Sequence, residues 1–205
     1  MNTTLLTVAL LLAAHLAGAQ ALRNPSFEGR QGPSVVPPEW EPCGQGSTPD
    51  TQPGCWRVST EPAAGQTYMS LICRGAHVPF PNKWEIVQQH LDEPLRRDVC
   101  YKYTIDLARS PTFGAGAALF IGEASLRIWG GSEACVQHEL LWESGSIVHT
   151  YWRRYDVMLW PARGSYDYLF LEAYYVSEPT YSGNILLDNF LFYPGEIPCL
   201  LQASR

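Results

Sequence analysis

Asp106, Asp156 and Glu172 lie in three separate stretches of alternating character, "CYKYTIDLAR", "WRRYDVMLW" and "YDYLFLEAYYV", and each falls on the polar side of its alternation. If the three stretches were neighbouring strands, the acids would gather on one sheet face. Two carboxylates about 5 to 9.5 Å apart can cleave a glycosidic bond, one as acid and the other as base or nucleophile. The same residue types also suit recognition without turnover. Carboxylates and guanidinium groups bond sugar hydroxyls, while Trp and Tyr rings offer apolar surface to the C–H faces of the sugar. Trp152, Arg154, Asp156, Trp160, Phe170, Glu172 and Tyr174 supply both kinds and form the expected ligand-binding set. No Gly-x-Ser-x-Gly elbow and no His-Glu-x-x-His pair occurs, so no catalytic residue is assigned.

The elements that must hold these residues read as strands. Gly and Pro punctuate the chain, and the intervals are short and rich in Tyr, Val, Ile, Phe and Trp. Strands are expected over Glu85 to Leu91, Cys100 to Arg109, Ala117 to Ile121, Ser125 to Trp129, Trp152 to Trp160, Tyr166 to Val176 and Ile185 to Tyr193. Ser132 to Trp142 is a weak, irregular helical candidate, and no other helical period of useful length follows residue 19. Tyr101, Tyr103, Ile105 and Leu107 share one parity, as do Tyr155, Val157 and Leu159, and Leu169, Leu171, Ala173 and Tyr175. These are the core faces. The fold class expected is all-β: a two-sheet antiparallel jelly-roll β-sandwich. Gly29 to Thr67 has too much Pro and Gly for central strands and reads as a long loop region.

Residues 1–19 run "MNTTLLTVALLLAAHLAGA", an apolar stretch closed by a small-x-small site, which is the pattern of a secretory signal peptide. Residues 20–205 are then expected to form one secreted domain, with no transmembrane segment. A net charge of -6 with only 14 Lys and Arg, none in a block, excludes nucleic acid as an expected partner. Six cysteines in an exported chain imply bridges rather than free thiols. Cys43 with Cys55 is the nearest pair and would pin the long loop, although six cysteines allow 15 connectivities. Cys199 is expected to tie the tail to the body. No Cys-x-x-Cys pair suggests zinc.

The order of short motifs adds a likeness. "NPSFEG" at Asn24–Gly29 is followed by "PPEW", "TPD", "GQTYMSL", "WEIVQQHLDEPLRRDVCYKYTIDLA", "ELLWESGSIVHTYWRRYDVMLWP" and a closing "ILLDNF". This succession resembles exported galactose-binding-like domains related to carbohydrate-binding module families 4 and 9, of the type found in Bacteroidetes secreted and surface proteins. The resemblance implies a β-sandwich and a structural calcium between the first and last strands. Glu28 and Asp188 match the positions at which the family supplies carboxylates, with Asn24, Ser47, Thr48 or backbone groups as further oxygen donors. Ca²⁺ takes six to eight oxygens at ~2.3–2.6 Å and would fasten an exposed chain end. Asn189 stands where family members carry a second acid, which lowers the ligand charge. The function this implies is that of a non-catalytic module whose partner is a glycan or polysaccharide. A surface-adhesion domain with a protein partner is the alternative, and a small polysaccharide hydrolase or lyase a third.

Overall fold

The computed structural model describes residues 22–197, apart from 45, 77, 79, 80, 82 and 178–180; the signal segment and Cys199 lie outside the described residues. The strands are β1 (Glu41–Pro42), β2 (Asp50–Gln52), β3 (Tyr68–Arg74), β4 (Lys83–Trp84), β5 (Ile86–Leu95), β6 (Cys100–Ala108) and β7 (Gly114–Ala115). There follow β8 (Ala118–Leu119), β9 (Ser125–Gly131), β10 (Glu139–Glu143), β11 (Arg153–Leu159), β12 (Tyr166–Tyr174) and β13 (Gly183–Ile197). No helix occurs among the described residues, so the weak helical candidate at Ser132 to Trp142 is corrected to a loop and β10. None of them forms a helix long and apolar enough to cross a membrane.

Two antiparallel sheets face each other. One has the order β1-β5-β12-β9-β10, the other β11-β6-β13-β3-β2 with β4 added to β3. The core between them is built from the parities expected. Tyr103, Ile105 and Leu107 from β6 and Leu169, Leu171 and Ala173 from β12 are all fully buried in one cluster. At about 25 cal/mol per Å² of apolar surface, this burial is the main force holding the sheets together. A second, smaller cluster lies on the far side of the six-stranded sheet. There Val58, Phe113 and Phe120 from loops pack on Tyr68, Ile72 and Leu186, closing much of that sheet's outer face.

Cys43 bonds to Cys135, not to Cys55; Cys55 and Cys73 are buried free thiols. The expected Cys43–Cys55 bridge fails because the two residues belong to different sheets. Cys43 follows edge strand β1, whereas Cys55 closes a turn after β2, where its N–H donates to Gln52 Oε1 at 3.0 Å. Cys100 is also disulfide-bonded. The Cys43–Cys135 bond fits an oxidising, extracellular setting.

A buried polar layer ties the loops to the six-stranded sheet. Arg74 Nη2 lies 2.8 Å from Glu85 Oε1, and its Nη1 donates to Gly46 O at 2.9 Å. Asp50 accepts from Ser34 N at 2.7 Å and from the Trp56 indole at 3.1 Å. Burial pushes the Asp50 carboxyl up to about 6, against its hydrogen bonds, and pushes Glu85 up against the pull of Arg74. An acid whose pKa is raised by folding holds its proton more tightly in the native state. Its contribution to stability is therefore full below about pH 4 and lost as pH rises through about 6. The thermal midpoint should accordingly fall between pH 4.5 and 7, by an amount equivalent to about 2–3 kcal/mol for Asp50 alone. Asp50→Asn should flatten this slope; a midpoint that climbs steadily from pH 4.5 to 7 would contradict the assignment.

Candidate functional site

The seven expected ligand residues divide between the two sheets. Trp152 precedes β11 and packs edge-on against Tyr68, its indole donating to Glu61 O at 2.7 Å. Arg154 holds Asp106 through two bonds of 2.9 and 2.8 Å. Asp156 is largely exposed, 3.5 Å from Lys102 Nζ, and Trp160 lies exposed just past β11. Phe170, Glu172 and Tyr174 stand on β12, in the other sheet. Each polar parity is as expected, but the acids do not gather. The jelly-roll path sends the consecutive strands β11 and β12 to opposite sheets, so Asp106 and Asp156 are separated from Glu172 by the core.

On the outer face of the five-stranded sheet a different set converges. Glu172 pairs in register with Arg127 of β9 and Ile86 of β5, and Phe170 with Trp129 and Gln88. Glu172 has the outer-face parity of the sheet, yet the residue is only 3% exposed. Its Oε2 accepts from the Trp129 indole at 2.7 Å. Burial raises its pKa, and the neighbouring Trp129, Trp84 and Gln137 side chains and the Arg127 charge work against the rise. Gln137 Nε2 is buried close to the Glu172 carboxylate but makes no hydrogen bond of ordinary geometry. Arg127 lies 3.6 Å above the Tyr174 ring while its Nε bonds Glu143 at 2.9 Å, and Trp84 meets Tyr174 edge-on at 4.9 Å.

Phe170 is not part of the open surface. The loop 132–138 folds over it, held by the Cys43–Cys135 bond, by Cys135 N donating to Gln88 Oε1 at 2.7 Å, and by His138 N donating to Gly130 O at 2.9 Å. Gly131 permits this approach, since a Cβ there would come within 2.7 Å of the Phe170 ring. Trp84, Arg127, Trp129 and Gln137 were missed from sequence. The alternation of Ser125, Arg127 and Trp129 against Leu126 and Ile128 carries the signal for two of them; nothing local marks Gln137, whose place depends on a distant disulfide.

Glu28 and Asp188 converge on one loop. Glu28 accepts from Gln66 N at 3.1 Å and from Thr67 N and Thr67 Oγ1 at 3.2 Å. Asp188, fully buried, accepts from Ala63 N at 2.9 Å, Ala64 N at 3.1 Å and Asn189 N at 2.8 Å. Burial pushes the Asp188 carboxyl up to about 6. This arrangement does not fit calcium: both carboxylates are met by amide donors, where the ion would require further oxygens. The other named donors are committed elsewhere. Ser47 Oγ donates to Ile86 O, Thr48 Oγ1 to Glu85, and Asn24 bonds the Glu28 backbone. No cluster of three or more His, Cys, Asp or Glu capable of holding a metal occurs among the described residues.

No protein-family model matches the chain, and no curated protein matches it. Solved structures do match in fold. The apo form of a cyclase from Fischerella sp. aligns with a TM-score of 0.53 at 13% identity, over 88% of this chain and 100% of that one. An arabinose-bound α-L-arabinofuranosidase aligns at 0.54 and 15% identity over 86% of this chain and 26% of its own. A cleaved adhesin domain of Lys-gingipain from Porphyromonas gingivalis aligns at 0.51 and 14%, over 83% and 96% respectively. The likeness establishes an all-β sandwich of a kind found in enzymes and in adhesin domains, and leaves activity to the residues themselves.

Gly65 sits between the two carboxylates at φ +67°, and a Cβ there would overlap the Glu28 carboxylate. Gly65→Ala should therefore cost roughly 2 kcal/mol or more in urea unfolding. Added calcium or a chelator should leave the thermal midpoint of the native chain unchanged; a rise of several degrees with calcium would restore the ion.

Proposed function

We propose that the chain is an extracellular, non-catalytic carbohydrate-binding protein that holds its glycan on the outer face of the five-stranded sheet. The observation that carries this reading is the buried Glu172 carboxylate, fixed by Trp129 beside the unsatisfied Gln137 Nε2. A sugar hydroxyl both donates and accepts. Placed against these groups it would donate to Glu172 and accept from Gln137, giving that donor the well-formed bond it lacks. The half-buried Trp129, Trp84 and Tyr174 rings surround the pair and supply apolar surface for the sugar's C–H groups. Turnover is no part of the proposal: the core separates Glu172 from Asp106 and Asp156, and of those two Asp106 is held by Arg154 and Asp156 faces Lys102. Export is part of it and draws on the residue 1–19 pattern and on the Cys43–Cys135 bond.

Isothermal titration of the full chain against xylo-, arabino-, gluco- and galacto-oligosaccharides tests the reading. Binding to at least one series is expected, with Trp129→Ala and Glu172→Gln each weakening it at least tenfold while circular dichroism stays native. Silence across all series, or binding indifferent to both substitutions, would overturn it.

A further inference from the structure

A second opening lies away from that face, where the two sheets end side by side. Among the described residues β11 pairs only with β6, and β10 only with β9, and the two outer edges lie near each other. Between them is a cleft of about 410 Å³ lined by Leu141 and Trp142 of β10, Asp156, Val157 and Met158 of β11, and Lys102 of β6. The lining residues are consecutive along each strand, so main chain as well as side chain borders the space. From it we propose that the β11 edge and this cleft form a docking site for an extended peptide, which adds to the six-stranded sheet as a further antiparallel or parallel strand.

A strand bonded on one side turns the N–H and C=O groups of about half its residues to the other. Among the described residues, no main-chain group of Arg153–Leu159 bonds outside its ladder with β6. The opposite edges of the sheets are short, β1 with two residues and β2 with three, whereas β11 runs for seven. The charges of β11 lie in its first four residues, Arg153, Arg154 and Asp156, which leaves its last three free of them. Arg154 is committed to Asp106 and Asp156 faces Lys102, while Val157, Met158 and Leu159 bear none.

The chemistry of the partner follows from this lining. Its main chain completes the ladder, as in other strand-addition complexes, and side chains at alternate positions enter or leave the cleft. The entering residue is large and apolar, to lie against Trp142, Leu141 and Met158. Arg153 stands exposed at the other end of β11, 5.5 Å from the Tyr155 ring, and favours an acid in the peptide there. This site is independent of the glycan reading, and neither depends on the other being correct.

The test begins with selection of a random dodecapeptide display library on the full chain, followed by synthesis of the best binder. Two complementary sets of alternate amides in that peptide are N-methylated. One set should weaken binding at least tenfold and the other leave it within about twofold, since only one faces β11. Amide exchange should slow across Arg153–Leu159 on binding, and Trp142→Ala should weaken the peptide at least tenfold. The amide-exchange and methylation readouts use the native chain and stand even if the variant fails to fold. Failure to enrich any peptide, equal loss from both methylated sets, or protection elsewhere would overturn the proposal. So would protection of β11 by an oligosaccharide in place of a peptide.

Discussion

The structure depends on the first of two breaks in the ladder between β13 and β6. Register is regular to Asp188 opposite Asp106, then slips before Leu191 opposite Thr104. Asn189 takes φ +51° within the slip, a conformation that Asn tolerates better than most residues. The bulge re-aims three groups. Phe190 N reaches Pro25 O at 2.8 Å, Asn189 Nδ2 reaches Asp106 Oδ2 at 2.9 Å, and Asp188 accepts the amides of the 63–67 loop. Through these bonds the segment after residue 22 is fastened to the last strand, and the loop crossing above them is clamped from both sides.

The same logic of distant parts fixing a local geometry governs the five-stranded face. Glu172 would be costly where it stands if left unpaired, and Trp129, one residue pair along the sheet, offsets that cost. The loop carrying Gln137 has little apolar anchorage of its own; Cys135 ties it to Cys43 and to Gln88. Closing a loop across 92 residues removes a large amount of unfolded-state entropy, so the bond that positions Gln137 also stabilises the fold.

Strand positions and core parities were legible because the β6, β11 and β12 stretches alternate over seven or more residues. β3 escaped notice for a physical reason: all seven of its residues are buried, with the second loop core on its outer side, so "YMSLICR" shows no alternation. β10 was obscured by its own register shift between Leu140 and Trp142. The pairing of sheets was not legible, since alternation fixes which way a side chain points and not which sheet its strand joins. That is why Asp106, Asp156 and Glu172 were expected together. The resemblance implies Glu28 and Asp188 as calcium ligands, whereas each carboxylate accepts from amides of a loop whose motif, "EPAAGQTY", gives no hint of that role.

What remains open on the surface follows from what the loops have already covered. Val58, Phe113 and Phe120 lie across the outer face of the six-stranded sheet, and Trp152 closes over Tyr68, so a ligand approaching there meets the protein's own side chains. On the corresponding face of the five-stranded sheet the 132–138 loop covers Phe170, while Glu172, Trp129 and Tyr174 stand at the loop's margin, Glu172 beneath its neighbours and Trp129 and Tyr174 half-buried. The edge formed by β10 and β11 has no cover among the described residues. Among the described residues, the packing of loops thus leaves one face where a polar side chain lacks a well-formed bond and one long edge whose outward main chain is unpaired.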